Sequence, residues 1–294
     1  MDTLQYERER ITLGDELRTL RKSKNVKGIV LAKQTRISQS KLSKIETGAL
    51  VPSTEDLLRI FGVLKPPRSD AKRLIEWAQA LRTEYVSWRF GHRKGFGASQ
   101  IEVAKIEQRA ARIRVFQTAL IPGLLQIPPY ARHVVTLSNV TQQPDLERAI
   151  SLRIRRQQIL YEPERKFEFL ITESAALSRF CDPPVVIQQL DRLRFLFGLP
   201  NITIGFISNE AALPRIPLNS FVVVDSSTAT VETITGEVST VDERDISTYN
   251  HIFDEFTSLA IFGAEADAFL ERCKRMLSTL ISNNNLGVIH NAAD

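Results

Sequence analysis

Apolar residues near the start of the chain recur at the spacing of short amphipathic helices. Leu13, Leu17 and Leu20 stand at i, i+4 and i+7, which predicts a helix over about residues 13–24. A second, short helix carries Leu31 among its apolar residues. The inward faces of three further helices are predicted to be Leu42 and Ile45; Leu57, Leu58 and Phe61; and Leu74, Ile75, Ala78 and Leu81. The N-terminal region is therefore predicted to be all-helical.

Polar residues at the helix boundaries predict where each helix begins. Ser38 is a good N-cap for a third helix over residues 39–46. Ser53, with Asp56 three residues later, has the pattern of a capping box, and Ser69 is predicted to cap the fifth helix. The connection between the second and third helices is only a few residues long, which is typical of a helix-turn-helix.

From residue 167 onward the pattern changes to strands that alternate with helices. Runs of β-branched and aromatic residues predict strands at 167–171, 202–207, 221–224 and 230–234, the last two as an antiparallel hairpin. Further helices are predicted at about 99–111, from Pro128, at 145–160, along the stripe Ile187 to Leu196, at 245–260 and at 264–281. The expected fold is an all-α helix-turn-helix N-terminal domain plus a larger α+β C-terminal domain with a small mixed or antiparallel sheet.

Glycine content and apolar runs indicate the domain organisation. Residues 86–100 contain three glycines and no regular period, so we expect a linker there. The predicted limits are 1–85 for the helix-turn-helix domain, 101–282 for a sensory, partner-binding and dimerisation domain, and 283–294 for a flexible tail. No run of about 18 apolar residues occurs and only two cysteines are present, so we expect a cytoplasmic, nucleoid-associated protein without a membrane segment.

Charge is distributed unevenly along the chain. Residues 1–75 hold 16 Lys and Arg against 9 Asp and Glu, whereas residues 76–294 hold 23 against 25. Between Arg18 and Ile45 there are nine basic residues and no acidic one. Such a run is more often a solvated surface than a binding site. Because it coincides here with the helix-turn-helix pattern, we expect it to face DNA phosphates.

The third predicted helix exposes side chains that can read bases. Its N-terminal end and outer face carry Gln39, Ser40, Lys41, Ser43 and Lys44. Glutamine can form a bidentate pair with adenine N6 and N7, and lysine can donate to guanine O6 and N7. A recognition helix inserts this end into the major groove of DNA.

These residues resemble a known family. Leu13-Gly14, Leu31-Ala32 and the stretch Ile37–Gly48, which ends in Ile-Glu-Thr-Gly, resemble the lambda-repressor-like helix-turn-helix of bacterial xenobiotic-response-element regulators. The resemblance implies three base-reading residues, Gln39, Ser40 and Lys44, and three phosphate contacts, Lys27, Lys41 and Thr47. It also implies an internal ion pair between Arg21 and Glu46.

Two positions depart from that family. Gly28 replaces a glutamine that starts the second helix and braces the first recognition residue, so we expect Gln39 to be held less firmly. Arg36 stands where the turn often has glycine. If Arg36 adopts a left-handed conformation, its side chain costs about 1 kcal/mol relative to glycine.

The remainder, about residues 85–280, resembles the C-terminal domain of an actinobacterial group of antitoxin-like regulators, a domain of unknown function. The most specific match is Pro122-Gly-Leu-Leu-Gln126 followed by Tyr130-Ala-Arg132. Members of the group resemble transcriptional regulators that pair with a small protein encoded nearby. The resemblance gives a candidate partner surface of Tyr130, Arg132, Arg153 and Arg156.

Sequence motifs for catalysis or metal binding are absent. The histidines are scattered, Cys181 and Cys273 are far apart, and no HExxH, GxSxG, P-loop or strand-linked GxGxxG occurs. Glu107 and Glu173 are compatible with paired carboxylates in a pocket, but capping of helices or pairing with Arg156 and Arg132 is the simpler interpretation. We therefore predict no enzyme, no cofactor and no metal, and that the cysteines are buried apolar residues.

Three functions are compatible with these patterns. The leading one is a dimeric, sequence-specific DNA-binding transcriptional regulator whose C-terminal domain binds a regulatory partner protein or ligand. The alternative is an antitoxin-like adaptor that mainly binds a small protein encoded nearby and uses DNA binding for autoregulation. An enzyme with an attached regulator domain is disfavoured, because no constellation of nucleophile and base is visible. The expected partners are double-stranded operator DNA and a second copy of the chain.

Overall fold

The computed structural model describes residues 3–87, 96–139, 145–233 and 236–291. The chain divides into two compact units, the first formed by residues 1–90 and 233–245 and the second by residues 91–232 and 246–294. The predicted fold class is confirmed: the N-terminal region is a helix-turn-helix and the C-terminal domain is α+β with a mixed sheet. Within the described residues, no helix is long and apolar enough to span a membrane.

The described residues of the first unit form five helices and one strand pair. The helices are α1 (Thr3–Ser23), α2 (Gly28–Thr35), α3 (Gln39–Glu46), α4 (Thr54–Leu64) and α5 (Arg68–Arg82). The antiparallel pair joins β1 (Thr83–Ser87) to β7 (Gly236–Thr240). The third helix has the predicted bounds, and Ser38 Oγ caps it by accepting a hydrogen bond from the Lys41 backbone N–H at 3.1 Å. The predicted capping box is also present at the start of α4.

Two details of the predicted helices are wrong. Leu58 was placed on the inward face of α4, but its side chain is 58% exposed, and Ile60 is buried in its place. Adjacent helical positions are about 100° apart, so Leu58 lies outside the narrower stripe formed by Leu57, Ile60 and Phe61. The fifth helix begins at Arg68, so Ser69 lies inside it and is not its N-cap.

Two glycines set the crossing of α1 and α3. A Cβ atom at Gly14 would lie 2.6 Å from the carbonyl oxygen of Ile45. Gly48, which has a φ of +71°, would place a Cβ atom 2.6 Å from Ile11 Cα. Side chains at these positions would force the two backbones apart, so both glycines are required by close approach.

The other end of α1 is fixed to α5. The Tyr6 hydroxyl donates to the carbonyl oxygen of Leu81 at 2.9 Å, and Trp77 Nε1 donates to Glu9 Oε2 at 2.9 Å. The first helix therefore contacts α5 near its N-terminus and α3 near Gly14.

The second unit contains a five-stranded mixed sheet. Its strands are β2 (Arg112–Gln117), β3 (Lys166–Thr172), β4 (Ile202–Ile207), β5 (Phe221–Val224) and β6 (Thr228–Glu232). Their order is β6-β5-β2-β3-β4, with β2, β3 and β4 parallel and with β5 and β6 antiparallel to their neighbours. The predicted hairpin of β5 and β6 is confirmed, whereas β2 was not predicted.

Helices cover both faces of this sheet. They are α6 (Phe96–Glu107), α7 (Pro128–Ser138), α8 (Leu146–Arg156), α9 (Glu173–Ala176), α10 (Pro183–Leu196), α11 (Glu243–Thr257) and α12 (Gly263–Asn291). Along β3, Phe169 joins a core with Leu193 of α10 and Phe269 of α12. The neighbouring Leu170 points to the opposite face and joins a core with Phe253 of α11. This alternation buries both faces of the sheet, as is usual for parallel strands.

Candidate nucleic-acid interface

The outer face of α3 is exposed and unengaged. Leu42 and Ile45 are buried in the core of the first unit, which turns the opposite side of the helix to solvent. Gln39, Ser40 and Lys44 are exposed there. None of these three side chains forms a hydrogen bond or ion pair with any residue that the structure describes. They are therefore available to an external ligand.

An ion pair holds the C-terminal end of α3. Arg21 Nε lies 2.6 Å from Glu46 Oε1, and Arg21 Nη2 lies 2.7 Å from Glu46 Oε2. Arg21 Nη1 also donates to the carbonyl oxygen of Val26 at 2.8 Å. The two charged side chains are only 11% and 12% exposed. This bidentate geometry fixes α3 to α1 and to the turn before α2.

A second ion pair holds the N-terminal half of α3. Lys41 Nζ lies 2.9 Å from Asp56 Oδ1 of α4, and the Asp56 side chain is buried. Burial disfavours the charged carboxylate, but hydrogen bonds from Lys41 and from the backbone N–H of Ser53 outweigh it, so the pKa of Asp56 is lowered. The ammonium group of Lys41, predicted to contact a phosphate, is thus engaged within the protein.

Other predicted DNA contacts lie at the ends of α2 and α3. Lys27 is exposed at the N-cap of α2. Thr47 is exposed at the C-cap of α3, and its hydroxyl donates to the carbonyl oxygen of Ser43 at 2.9 Å. Arg36 has φ 57° and ψ 28°, which is the left-handed conformation considered from the sequence. Its exposed guanidinium adds positive charge beside the turn.

Most of the basic run between Arg18 and Ile45 is uncompensated. Of its nine cations, Arg21 and Lys41 have carboxylate partners. The other seven are exposed and pair with no carboxylate in the described part of the chain: Arg18, Lys22, Lys24, Lys27, Lys33, Arg36 and Lys44. Exposed, unpaired cations of this density attract a polyanion such as DNA.

The candidate partner surface of the second unit is only partly at the surface. Tyr130 was predicted to lie there, which is wrong, because its side chain is fully buried. Its hydroxyl accepts a hydrogen bond from the backbone N–H of Ile121 at 3.1 Å, and burial raises its pKa. Arg132 is exposed and forms a bidentate pair with Glu147.

The remaining two arginines of that predicted surface lie largely inside the unit. Arg156 Nη1 lies 2.7 Å from Glu107 Oε1, and the two side chains are 11% and 10% exposed. Arg153 Nη1 donates to Gln126 Oε1 at 3.2 Å. Pairing of Glu107 with Arg156, the simpler of the two interpretations, is therefore observed.

Glu173 does not pair with Arg132. Its Oε2 atom accepts hydrogen bonds from the Ser208 hydroxyl and the Asn209 backbone N–H, at 3.0 and 2.9 Å. Its other oxygen lies 3.7 Å from Arg272.

Two families match the chain. The description "Helix-turn-helix domain" applies to residues 12–74. The description "Domain of unknown function (DUF5753)" applies to residues 100–272, which is more than half of the chain. The chain belongs to the DUF5753 family.

Similarity of this DUF5753 protein to solved structures is low. No curated protein matches it. Solved structures that align with it include TrmBL2, an archaeal chromatin protein with a novel mode of DNA binding, at 12% identity over 70% of this chain and 66% of that chain, with a TM-score of 0.32. They also include Nuc from Salmonella typhimurium, a phospholipase D family member, at 14% identity over 57% and 91%, with a TM-score of 0.32. NucT from Helicobacter pylori aligns at 11% identity over 62% and 98%, with a TM-score of 0.35. Similarity at this level does not identify a function.

The described part of the DUF5753 protein contains no cluster with metal-binding chemistry. No group of three or more His, Cys, Asp or Glu residues is arranged to hold a metal ion there. Cys181 and Cys273 are buried free thiols, and burial raises the pKa of both, that of Cys273 to about 11. A thiol with a raised pKa is a poor nucleophile. The expected absence of enzyme activity and cofactors stays a prediction.

Proposed function

We propose that this DUF5753 protein is a sequence-specific transcriptional regulator that inserts α3 into the major groove of DNA. One observation carries the proposal: the outer face of α3 bears three unengaged polar side chains while two ion pairs fix the helix to its neighbours. A rigidly held helix loses little conformational entropy on binding, which favours recognition. This geometry supports base reading by Gln39, Ser40 and Lys44.

Phosphate contacts are proposed for the residues that surround α3. Lys27 and Thr47 are exposed at the adjacent ends of α2 and α3. Lys41 is 44% exposed and keeps Asp56 as its partner, so we propose that it orients the helix and contributes positive charge. The same arrangement of residues around α3 supports our proposal that the domain belongs to the lambda-repressor-like, xenobiotic-response-element subgroup. We further propose that DNA binding places the protein in the cytoplasm, associated with the nucleoid.

A homodimer is proposed because a single recognition helix reads only a few base pairs. Useful specificity requires two such helices about 34–36 Å apart, one turn of DNA. Residues 76–294 are close to neutral, with 23 basic and 25 acidic residues, so two copies do not repel strongly. Sedimentation of the full chain without DNA tests this, and a monomer at tens of micromolar would contradict it.

Base reading is tested by competition between the operator and a scrambled duplex. Genome-wide footprinting first identifies the operator. Gln39→Ala and Lys44→Ala are then expected to cost about 1–3 kcal/mol each on the operator and less on the scrambled duplex. Lys72→Ala is the matched control, because Lys72 is exposed on α5 outside the basic run. Equal losses on both duplexes would remove Gln39 and Lys44 from base reading.

A second proposed role is that of an antitoxin-like adaptor for a small protein encoded nearby. Three aliphatic residues of the loop before β5 favour protein binding: Leu213 is 39% exposed, and Ile216 and Leu218 are each 80% exposed. Arg215 holds this loop through a bidentate pair with Glu255 of α11.

The adaptor role is tested by co-purification with the small neighbouring gene product. Ile216→Asp is expected to reduce capture. Leu137→Asp, at an exposed aliphatic position of α7, serves as the control. Capture that is equal for both variants would exclude this loop as the docking surface.

A further inference from the structure

The α6 and α8 helices of the second unit contact each other through buried polar side chains. We name four of them the arginine cluster: Glu107 of α6, Gln126 after the turn at Gly123–Leu125, and Arg153 and Arg156 of α8. Such polar groups are stable inside a protein only when each has a partner. The partners within the cluster can be assigned atom by atom.

The charges of the arginine cluster do not balance. Glu107 Oε1 is taken by Arg156 at 2.7 Å. The one hydrogen bond of Arg153 within the described residues goes to a neutral amide, Gln126 Oε1 at 3.2 Å. The Nε atoms of both arginines and the Oε2 atom of Glu107 are buried without a hydrogen-bond partner in the described structure. Within the described residues, the two guanidinium groups therefore have one hydrogen-bonded carboxylate between them.

The electrostatics of Arg153 reflect this imbalance. Burial and the charge of Arg156 lower the pKa of Arg153 to about 10, against the attraction of Glu232 and Glu107. Glu232 is exposed and forms no hydrogen bond with Arg153.

The geometry around the arginines leaves room for a guanidinium beside the backbone. A Cβ atom at position 123 would lie 2.7 Å from Arg156 Nη2, so a side chain there would displace that group. Arg153 is partly exposed, but its Nε atom is buried and its Nη1 atom donates to Gln126, so Nη2 is the donor left for an external group. Guanidinium N–H donors suit the oxygens of a carboxylate or a phosphate.

We propose that the arginine cluster is an oxyanion-binding site of the DUF5753 domain, in which Arg153 receives a carboxylate or phosphate group from outside the chain. Arg156, already neutralised by Glu107, lies beside the bound group and keeps Glu107 from competing for Arg153. The site goes beyond the proposed DNA-binding function, and either can fail without the other.

The proposal predicts opposite effects of one substitution with and without the anion. Arg153→Met removes a charge that burial disfavours and that no carboxylate hydrogen-bonds within the described residues, and it keeps apolar volume, so we expect it to be stabilising in the absence of a ligand. The same change removes the ligand's partner. The variant is therefore expected to melt at a higher temperature than the wild type in chloride and to lose any response to the oxyanion.

The experiment measures the melting temperature of the full chain at constant ionic strength while chloride is replaced by inorganic phosphate or, separately, by acetate. The wild type is expected to gain about 2–4 °C in at least one of the two anions, because a ligand that binds only the folded state stabilises it. The arm that gives the larger gain identifies phosphate or carboxylate chemistry. Arg155→Met is the matched control, since Arg155 is exposed on the same helix; it is expected to respond like the wild type.

Two outcomes would overturn the proposal. One is a wild-type melting temperature that is the same in chloride, phosphate and acetate. The other is a response of Arg153→Met equal to that of the wild type, which would place the anion elsewhere. If Arg153→Met does not fold, Arg153→Lys replaces it: that variant keeps the charge and loses the planar guanidinium, so at least half of the gain should disappear. A full gain in Arg153→Lys would contradict recognition by the guanidinium.

Discussion

Each unit of the protein contains an arginine paired with a glutamate between two helices, but only one of the two sites is balanced. In the first unit, Glu46 satisfies Arg21 with both of its oxygens. In the second, Glu107 binds Arg156 with one oxygen, and Arg153 forms no hydrogen bond to a carboxylate of the described residues. An arginine whose donors are taken by a glutamate fixes a helix and offers no donor to a ligand. An arginine without a hydrogen-bonded carboxylate keeps N–H donors that a ligand can use. The same residue types therefore support a scaffold in one unit and a candidate binding site in the other.

Loss of the balanced pair is expected to have the largest effect. Glu46→Gln leaves the shielded guanidinium of Arg21 without its counter-charge, which costs about 3–5 kcal/mol of unfolding free energy. Urea denaturation measures this cost. Glu55→Gln is the control, because Glu55 is 69% exposed and its pair with Arg59 contributes little. Equal stability of the two variants would show that the Arg21–Glu46 pair does not hold α3.

The next largest effect separates Lys41 from Lys27. Lys41→Ala leaves the buried Asp56 carboxylate without its cation and is expected to lower stability by about 1–3 kcal/mol as well as DNA affinity. Lys27→Ala removes an exposed, unpaired cation, so stability should remain and the slope of log affinity against log salt should fall by about 0.9. Denaturation and binding at several salt concentrations distinguish the two. If Lys41→Ala is as stable as the wild type, Lys41 does not hold α3, and its role is the predicted phosphate contact alone.

Two carboxylates predict opposite pH dependences in the two units. The pKa of Asp56 is lowered, so its contribution to stability is present above its ordinary value of 3.8 and is lost as the pH falls through the lowered pKa. The pKa of Glu107 is raised, chiefly by burial and against the attraction of Arg156. Its contribution is fully present below its ordinary value of 4.5 and is lost as the pH rises through the raised pKa.

Matched amide variants measure these dependences. The free energy of unfolding of the wild type, minus that of Asp56→Asn, should fall when the pH is lowered below about 4. The free energy of unfolding of the wild type, minus that of Glu107→Gln, should instead rise as the pH is lowered from neutral toward 4.5. Parallel changes in both differences would contradict the distinction between the two sites.

The smallest expected effect comes from Gly28. A Cβ atom at this position would have Arg21 Cζ at 3.9 Å as its nearest atom, which is ordinary contact, so glycine is not required by space. Gly28→Gln should stabilise the start of α2 by about 0.5 kcal/mol, because glycine is a poor helix former. Thermal unfolding measures the gain. Destabilisation would mean that the glutamine of related helix-turn-helix domains does not fit here.

Local signals account for the parts of the fold that the sequence predicts well. Ser38 marks the start of α3 by a side-chain cap, and the β-branched run 202–207 marks β4. Strand β2 was not predicted, and it carries two charged residues, Arg112 and Arg114. In the fold, Arg114 is buried against Glu168 and Asp254, so its charge is neutralised by residues distant in sequence.

The same limit applies to the candidate sites. In the sequence, the capping box with Ser53 already explains why Asp56 is present. The sequence pattern therefore gives no sign that Asp56 also pairs with Lys41 of α3. Tyr130 was placed at the surface because it belongs to a motif that resembles a partner-binding family, although its helix turns it into the core. The imbalance at Arg153 depends on where Glu107 and Gln126 lie in space, and spacing along the chain does not reveal it.

The close crossing at Gly14 and Gly48 has a mechanical consequence. At 1.5 Å per residue, the 21 residues of α1 form a rod about 31 Å long. The rod is fastened to α5 through Tyr6 and Trp77 at one end and touches the backbone of α3 farther along. With no side chain between them at this crossing, the backbones of α1 and α3 lie in direct contact. The spacing of α1 and α3 is thus set by backbone atoms and not by side chains that could repack.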